Sequence, residues 1–325
     1  MKRKSVFSIF LCVLLSLNVL ETALGQVPET AKIVFASNRN GNMDIYLMSL
    51  DGKEVTQLTK HPTGDYDPVF SPTGEQLLFV SHRDGLRDLF LMDADGQNVK
   101  RVFASAADRS EPTWSPDGKR IAYFRYKEEA IYIAGIDGKN ETPLAQAGKF
   151  GGQPSWSPDG ETIVFSFSPS TIAEKNKEGY PLIFISPEGG NRRKVSLGDL
   201  RHIDPTWSPD GEWIAFADAP WFLHEIDQGT IHVMKPDGTE RQQIVPKAGG
   251  FAEHPIWSPA GKELLYEKKV KDQIQLFRID VTSRLTKQLT SRDRNLLGSW
   301  FDPTALPVHS RVHLLTTSWG DLKQR

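Results

Sequence analysis

Pro205-Thr-Trp-Ser-Pro-Asp-Gly211 is one of five copies of a heptapeptide that recurs along the chain. The other copies are Pro68-Val-Phe-Ser-Pro-Thr-Gly74, Pro112-Thr-Trp-Ser-Pro-Asp-Gly118, Pro154-Ser-Trp-Ser-Pro-Asp-Gly160 and Pro255-Ile-Trp-Ser-Pro-Ala-Gly261. Successive copies lie 44, 42, 51 and 50 residues apart, and Trp300 follows Trp257 by 43 residues as the remnant of a sixth copy. A period of this length over most of a chain is typical of repeat folds such as β-propellers.

The heptapeptide itself predicts a strand that ends in a tight turn. Ser, Pro and Gly stand at the first, second and fourth turn positions, which is the pattern of a type I turn. The aromatic residue just before the turn is then a large anchor at the strand end, and we expect it to pack between neighbouring sheets. Stacking on a substrate is the alternative, but five equivalent copies favour packing. The anchors are Phe70, Trp114, Trp156, Trp207 and Trp257.

Each turn is followed by a second apolar run, such as Ile214-Ala-Phe-Ala217, and then by a third, such as Ile231-His-Val-Met234. Most third runs lead into an Asp-Gly or Glu-Gly turn, such as Asp237-Gly238, and a more polar fourth strand follows. Four short antiparallel strands that are buried on both faces are what a propeller blade requires between two others.

The two ends of the repeat region predict how the propeller closes. The first apolar run, Lys32-Ile-Val-Phe35, matches a second strand, so the opening blade lacks its first strand. A matching first strand is found only near the other end, at Ser299-Trp-Phe-Asp-Pro303. We therefore predict an all-β fold, a six-bladed β-propeller of four-stranded antiparallel blades, closed by pairing of the N- and C-terminal strands. The propeller is expected over 27–303, with a tail of unassigned role over 304–325.

Residues 1–26 read as a secretory signal peptide. Three basic residues begin the chain, an apolar run covers Val6 to Leu20, and Ala23-Leu-Gly25 supplies a small-residue cleavage site. A membrane anchor is the alternative, but the run is about 15 residues, shorter than the roughly 20 that span a bilayer. We therefore expect a periplasmic or secreted protein with no transmembrane segment in the mature chain.

Charge and cysteine content narrow the class of protein further. The full chain has 39 basic and 41 acidic residues, and removal of the leader leaves 36 and 40, a net charge of about −4. This balance does not favour nucleic acid as a partner. The single cysteine, Cys12, lies in the leader, so the mature fold depends on packing without disulfides. We expect a monomer.

The heptapeptides closely resemble the Trp-Ser-Pro-Asp-Gly repeats of the TolB-type β-propeller family, also called the WD40-like repeat. The resemblance covers residues 31 to about 303 and includes two Ser-x-Arg-x-Gly turns, at Ser37 to Gly41 and Ser81 to Gly85. It implies a propeller located in the cell envelope and a protein or peptide of the envelope as partner. TolB itself carries an α/β domain before its propeller and binds a peptidoglycan-associated lipoprotein. We expect no such domain in this chain, because the repeats start within about six residues of the predicted cleavage site.

Sequence motifs of enzymes are mostly missing. The same repeat forms the lid domain of prolyl-oligopeptidase-type peptidases, yet the chain has no Gly-x-Ser-x-Gly nucleophile motif, phosphate loop or His-Glu-x-x-His. We therefore predict no catalytic residues. A metal-dependent hydrolase or sugar lyase is the alternative, since four histidines fall in two neighbouring repeats: His202, His224, His232 and His254.

One polar residue per blade stands immediately before the repeated proline. These residues start the innermost strand, so their side chains should converge on one mouth of the central channel. They are Asp67, Glu111, Gln153, Asp204 and His254, with Leu297 at the degenerate sixth position. We call the five polar ones the channel residues. Their alternative role is to accept a backbone hydrogen bond from the neighbouring blade.

Two blades carry insertions, at about 168–181 and 218–230, that should flank this mouth and bring Trp221 and Phe222 to it. We therefore predict a binding or scaffold propeller that engages a protein segment, or a glycan, at the channel mouth. No cofactor is required. Oxygen ligands from Asp67, Glu111 and Asp204 could hold a calcium or magnesium ion weakly.

Overall fold

The computed structural model describes residues 27–170, 179–219, 229–247 and 250–305. Within these ranges the chain forms six four-stranded antiparallel sheets and one 3-10 turn, Pro303–Ala305. This confirms the six-bladed all-β fold. None of the helices in the described ranges is long and apolar enough to cross a membrane.

Each blade has four strands, which follow one another from the channel outward. In each set of strands named here, the first belongs to blade 1 and the last to blade 6. The innermost strands are β24 (Asn295–Phe301), β4 (Asp65–Phe70), β8 (Arg109–Trp114), β12 (Gly152–Trp156), β16 (Arg201–Trp207) and β20 (Ala252–Trp257). The second strands are β1 (Lys32–Ser37), β5 (Gln76–Ser81), β9 (Arg120–Arg125), β13 (Ile163–Ser166), β17 (Ile214–Ala219) and β21 (Glu263–Val270).

The third strands are β2 (Asp44–Ser49), β6 (Asp88–Asp93), β10 (Ala130–Gly135), β14 (Leu182–Ile185), β18 (Thr230–Met234) and β22 (Gln273–Asp280). The outer strands are β3 (Val55–Gln57), β7 (Lys100–Arg101), β11 (Thr142–Gln146), β15 (Arg193–Val195), β19 (Gln242–Gln243) and β23 (Thr286–Gln288). The outer strands are short and largely exposed, which limits unwanted pairing at the sheet edges.

The repeated turns have the geometry that their sequence predicts. In the copy after Trp207, the backbone N–H of Gly211 donates to the carbonyl oxygen of Ser208 at 2.9 Å, closing a four-residue turn. Gly211 has a φ of 74°, a conformation that glycine adopts without strain. The Ser208 hydroxyl donates to Asp210 and accepts the backbone N–H of Trp213, which ties the turn to the next strand.

Blade 1 closes the propeller as predicted. Strand β1 pairs with β24 in antiparallel register, with Lys32 opposite Phe301 and Ser37 opposite Asn295. The Phe301 ring then lies 5.3 Å from the ring of Phe70, which packs the closing strand against blade 2. The two ends of the repeat region therefore complete one blade together.

The hydrophobic core lies between blades. One buried cluster, for example, joins Leu78 and Val80 of blade 2 to Trp114 and Tyr123 of blade 3. Four of the five predicted anchors are buried in this way, with 6 to 8% of their surface exposed: Phe70, Trp114, Trp156 and Trp257.

Trp207 differs from the other anchors because it is only half-buried. The indole N–H groups of Trp114 and Trp257 donate to carbonyl oxygens of the preceding blade, those of Val69 and Thr206. The indole nitrogen of Trp207 has no hydrogen-bond partner among the described residues. Trp207 instead meets Phe184 edge to face at 5.9 Å, so it is a weaker anchor than predicted.

Candidate functional site

The innermost strands surround a cavity of about 260 Å3 at the centre of the propeller. The side of the cavity formed by blade 1 contains Gly298 and Ser299. All five channel residues line the cavity: Asp67, Glu111, Gln153, Asp204 and His254. Apolar groups, including Val69 and Ile256, lie between them. The sequence position before each proline therefore corresponds to one shared site, which we call the mouth cavity.

An unusual backbone conformation is common to the channel residues. Each has a left-handed φ, between 48° and 54°, which residues other than glycine seldom adopt. Each also lies in a β-bulge, where the pairing of the innermost with the second strand shifts register. A bulge re-aims side chains, and the proline that follows has no N–H for the interrupted ladder. The X-Pro sequence is the signal for this geometry.

Three channel residues accept backbone hydrogen bonds from the next blade. The Glu111 carboxylate accepts the N–H of Gln153 at 2.8 Å, and the Asp204 carboxylate accepts the N–H of His254 at 3.1 Å. Asp67 is hydrogen-bonded by the backbone of Glu111 in the same way. These carboxylates therefore connect neighbouring blades at the same time as they line the cavity.

Burial changes the charge of this site. The pKa of Glu111 is raised to about 7, mainly by burial and also by the neighbouring carboxylates of Asp67 and Asp204, against the opposing hydrogen bond from the Gln153 backbone. Burial also raises the pKa values of Asp67 and Asp204 above the ordinary range of aspartate. The negative charge at the mouth cavity is therefore smaller at neutral pH than a count of carboxyl groups indicates.

The acidic groups are concentrated at the junction of blades 5 and 6. His254 Nε2 lies 3.4 Å from Asp204 Oδ1, and His254 Nδ1 lies 3.5 Å from Glu267 Oε1 and 4.0 Å from Glu253 Oε1. Burial opposes protonation of His254, but the carboxylates of Asp204, Glu267 and Glu253 outweigh it and raise its pKa well above the ordinary value. Burial raises the pKa of Glu253 to about 7.

Sequence reasoning missed Glu253 and Glu267. The sequence carried a signal for Glu253, because this residue directly precedes a channel residue. Glu267 is its partner across strands β20 and β21, which only the structure shows. In the other four full blades the position before the channel residue holds an uncharged residue: Tyr66, Ser110, Gly152 or Ile203. The acidic junction is thus a local feature of blade 6 that the repeat does not require.

Asp204, Glu253 and His254 form a compact donor set, in which one ligand atom from each residue lies within 4.8 Å of the others. In the part of the chain that the structure describes, Asp67 and Glu111 do not belong to any such set. The calcium or magnesium ligands predicted from sequence, Asp67, Glu111 and Asp204, therefore share only Asp204 with it.

Two of the four clustered histidines are built into blade 5 and do not line the mouth cavity. His202 Nδ1 lies 2.9 Å from the carbonyl oxygen of Tyr180, and its Nε2 lies 3.4 Å from Asp218. His232 Nδ1 lies 3.1 Å from the same carboxylate, which also pairs with Arg241. The contact of His232 with Asp218 joins β18 to β17, the strands on either side of the blade 5 insertion, and His202 connects blade 5 to Tyr180, beside the blade 4 insertion.

Trp221, Phe222 and His224 lie outside the described residues. Their predicted place beside the mouth cavity stays a prediction.

Comparisons with known proteins agree on the architecture. A family model described as the TolB beta propeller domain matches residues 16–172 and 126–303. The chain is 43% identical over 61 residues to the Tol-Pal system protein TolB of Geobacter sulfurreducens, which is 18% of this chain and 14% of that protein. The chain thus spans only a small part of the length of this relative.

Two solved structures share the fold. TolB from Acinetobacter baumannii superimposes with a TM-score of 0.70 at 15% identity, over 86% of this chain and 68% of the other. An oligogalacturonate lyase in complex with manganese superimposes with a TM-score of 0.51 at 17% identity, over 82% of this chain and 74% of the other. Identities this low show likeness of fold alone.

Proposed function

Because the chain belongs to the TolB β-propeller domain family, we propose that it is a non-enzymatic binding propeller that holds a protein segment, or a glycan, at its mouth cavity. We propose a location in the periplasm or outside the cell, since the relatives named TolB are Tol-Pal system proteins and residues 1–26 are predicted from the sequence to be an export signal. The partner we favour is a protein of the cell envelope. A component of a Tol-type system is one such partner.

One observation carries this proposal: the mouth cavity combines acidic groups that are buried or half-buried with apolar walls. Asp204 is only 6% exposed, and Val69 and Ile256 lie in the same lining. A lysine or arginine side chain on an entering segment would lower the pKa values of these carboxyl groups and pair with their ionised form. Its aliphatic stem would contact the apolar walls. A cavity of this kind with a few convergent polar groups is the usual form of a binding site.

The test compares partner binding by matched variants of the channel residues. The double change Glu111→Gln and Asp204→Asn removes two carboxylates while it keeps an oxygen acceptor for each inter-blade hydrogen bond. We expect the melting temperature in chelator not to fall, because Glu111→Gln also removes a group whose ionisation opposes folding, while less envelope protein is retained on the immobilised variant. The control is Asp117→Asn with Asp210→Asn, at turns far along the same strands. Equal retention by the double variant and the wild type would contradict the proposal.

A second candidate function is a metal-dependent hydrolase or sugar lyase at the same cavity. The compact donor set of Asp204, Glu253 and His254 is the observation that favours it, and the manganese-bound oligogalacturonate lyase shares the fold. The test is an assay of the purified protein with manganese on oligogalacturonate and related acidic sugars. Turnover that is lost in Glu253→Gln would establish the enzyme, and its absence with loaded metal would favour the binding function.

A further inference from the structure

The junction of blades 5 and 6 has the dimensions of a metal site. Asp204 comes from β16, while Glu253 and His254 come from β20, and one ligand atom from each lies within 4.8 Å of the others. Two ligands bound at about 2.0 to 2.1 Å to one tetrahedral ion lie about 3.4 Å apart. Asp204 Oδ1 and His254 Nε2 are separated by 3.4 Å. Glu253 Oε1 lies 4.0 Å from His254 Nδ1, so its side chain would rotate to bind an ion between Asp204 and Nε2.

A second observation concerns the Asp204 carboxylate. Its Oδ2 accepts the N–H of His254, but Oδ1 has no hydrogen-bond partner among the described residues, although Asp204 is only 6% exposed. A buried carboxylate oxygen without a partner is destabilising unless something else compensates it. This oxygen faces the imidazole across the 3.4 Å gap.

The surroundings of His254 add a third observation. The carboxylate of Glu267, whose side chain is 3% exposed, lies 3.5 Å from Nδ1, the nitrogen that faces away from Asp204. In metal sites, a carboxylate on the other ring nitrogen commonly fixes the orientation of the histidine ligand. The acidic pair Glu253 and Glu267 occurs only in blade 6 among the five full repeats, so connecting the blades does not require it.

We propose that this junction binds one divalent transition-metal ion, such as Zn2+, through Asp204, Glu253 and His254. Glu267 orients the imidazole, and water completes the coordination. The imidazole nitrogen selects such an ion over calcium or magnesium, which prefer oxygen ligands. The site differs from the oxygen-ligand site predicted from the sequence on Asp67, Glu111 and Asp204, because it lies at one junction of the mouth cavity and uses a nitrogen ligand.

The experiment uses purified protein that has been freed of metal with chelator, and the metal alone as probe. Zn2+, Mn2+, Ca2+ and Mg2+ are titrated separately by calorimetry, and the melting temperature is measured with each. We expect one Zn2+ per chain, a higher melting temperature with Zn2+, and binding of Ca2+ and Mg2+ at least about tenfold weaker. Tighter binding of Ca2+ than of Zn2+ would contradict the assignment of the His254 imidazole as a metal ligand.

Two variants locate the site. Glu253→Gln keeps the shape of the side chain and removes a ligand charge, and His254→Asn keeps a residue that tolerates the left-handed backbone while it removes the imidazole. Each should weaken Zn2+ binding by about 10- to 100-fold. The matched control is Gln153→Asn, at the equivalent position of blade 4 with the same φ of 50°.

These results distinguish the metal site from its alternative. In the alternative, no metal binds and a protonated His254 alone balances the negative charge of the surrounding carboxylates. No Zn2+ binding by the wild type, or Zn2+ binding that is unchanged in both Glu253→Gln and His254→Asn, would overturn the metal site. Because Glu253→Gln alters no backbone preference, it decides the question even where His254→Asn does not fold. The probe is the metal alone, so failure of the metal site leaves the proposed partner binding to its own test.

Discussion

The backbone N–H of Gln153 donates a 2.8 Å hydrogen bond to the carboxylate of Glu111, across the junction of blades 3 and 4. This contact shows that a channel residue has two roles, because the same carboxylate lines the mouth cavity. A test of function at the channel residues must therefore keep the acceptor while it changes the charge. Substitution of the carboxylate by the matching amide does so.

The pH dependence of stability follows from Glu111. Its pKa is about 7 in the folded protein and 4.5 ordinarily, so the folded state holds the proton more tightly. Its favourable contribution to folding is present below about pH 4.5 and is lost as the pH rises through about 7. Glu111→Gln removes this loss. Between pH 5 and pH 8 the free energy of unfolding of the variant should gain about 1 to 3 kcal/mol relative to the wild type.

Urea unfolding at both pH values measures this difference. The control is Glu161→Gln, whose side chain is exposed at a turn, and it should follow the wild type at both pH values. A Glu111→Gln variant that also follows the wild type would mean that Glu111 ionises as it would in water.

The two tryptophan anchors of blades 5 and 6 should differ in their contribution to stability. Trp257 is 7% exposed, lies in a large inter-blade cluster and donates to the carbonyl oxygen of Thr206. Trp257→Ala should therefore cost about 3 to 5 kcal/mol. Trp207→Ala should cost less, because Trp207 is half-buried and its indole N–H has no partner among the described residues. Denaturant unfolding of both variants checks the order, and the reverse order would contradict the assignment of the anchors.

Closure of blade 1 predicts the effect of truncation. A chain that ends at Leu296 loses most of β24, which leaves the edge of β1 unpaired and removes Phe301 from its contact with Phe70. We expect aggregation or a melting temperature at least about 10 °C lower. A chain that ends at Leu306 keeps β24 and should be affected much less. Equal melting temperatures of the two truncated proteins would be incompatible with the split blade.

The fold could be predicted because its signals are local and repeated. Five Ser-Pro-x-Gly turns set the strand ends, and the missing first strand before Lys32 could be matched only to the strand around Trp300. The missing hydrogen bond of the Trp207 indole could not be predicted, because it depends on which carbonyl groups of the neighbouring blade face the ring.

The candidate site was predicted only in outline. The X-Pro positions located the channel residues, but the left-handed bulge that turns each of them appears only in three dimensions. Glu253 and Glu267 were missed because they meet across two strands. The raised pKa of Glu111 depends on burial, which the residue type alone does not give.

The most direct test of partner binding at the mouth cavity is site-specific photo-cross-linking. A photoreactive amino acid replaces Gln153, which lines the cavity, or Lys119, which is exposed beyond the turn that follows Trp114. Each protein is irradiated with an envelope extract, in chelator so that metal plays no part. We expect a discrete cross-linked partner from position 153 that excess unlabelled wild type competes away, and none from position 119. Cross-linking from position 119 alone would contradict this expectation and place the binding surface on another face.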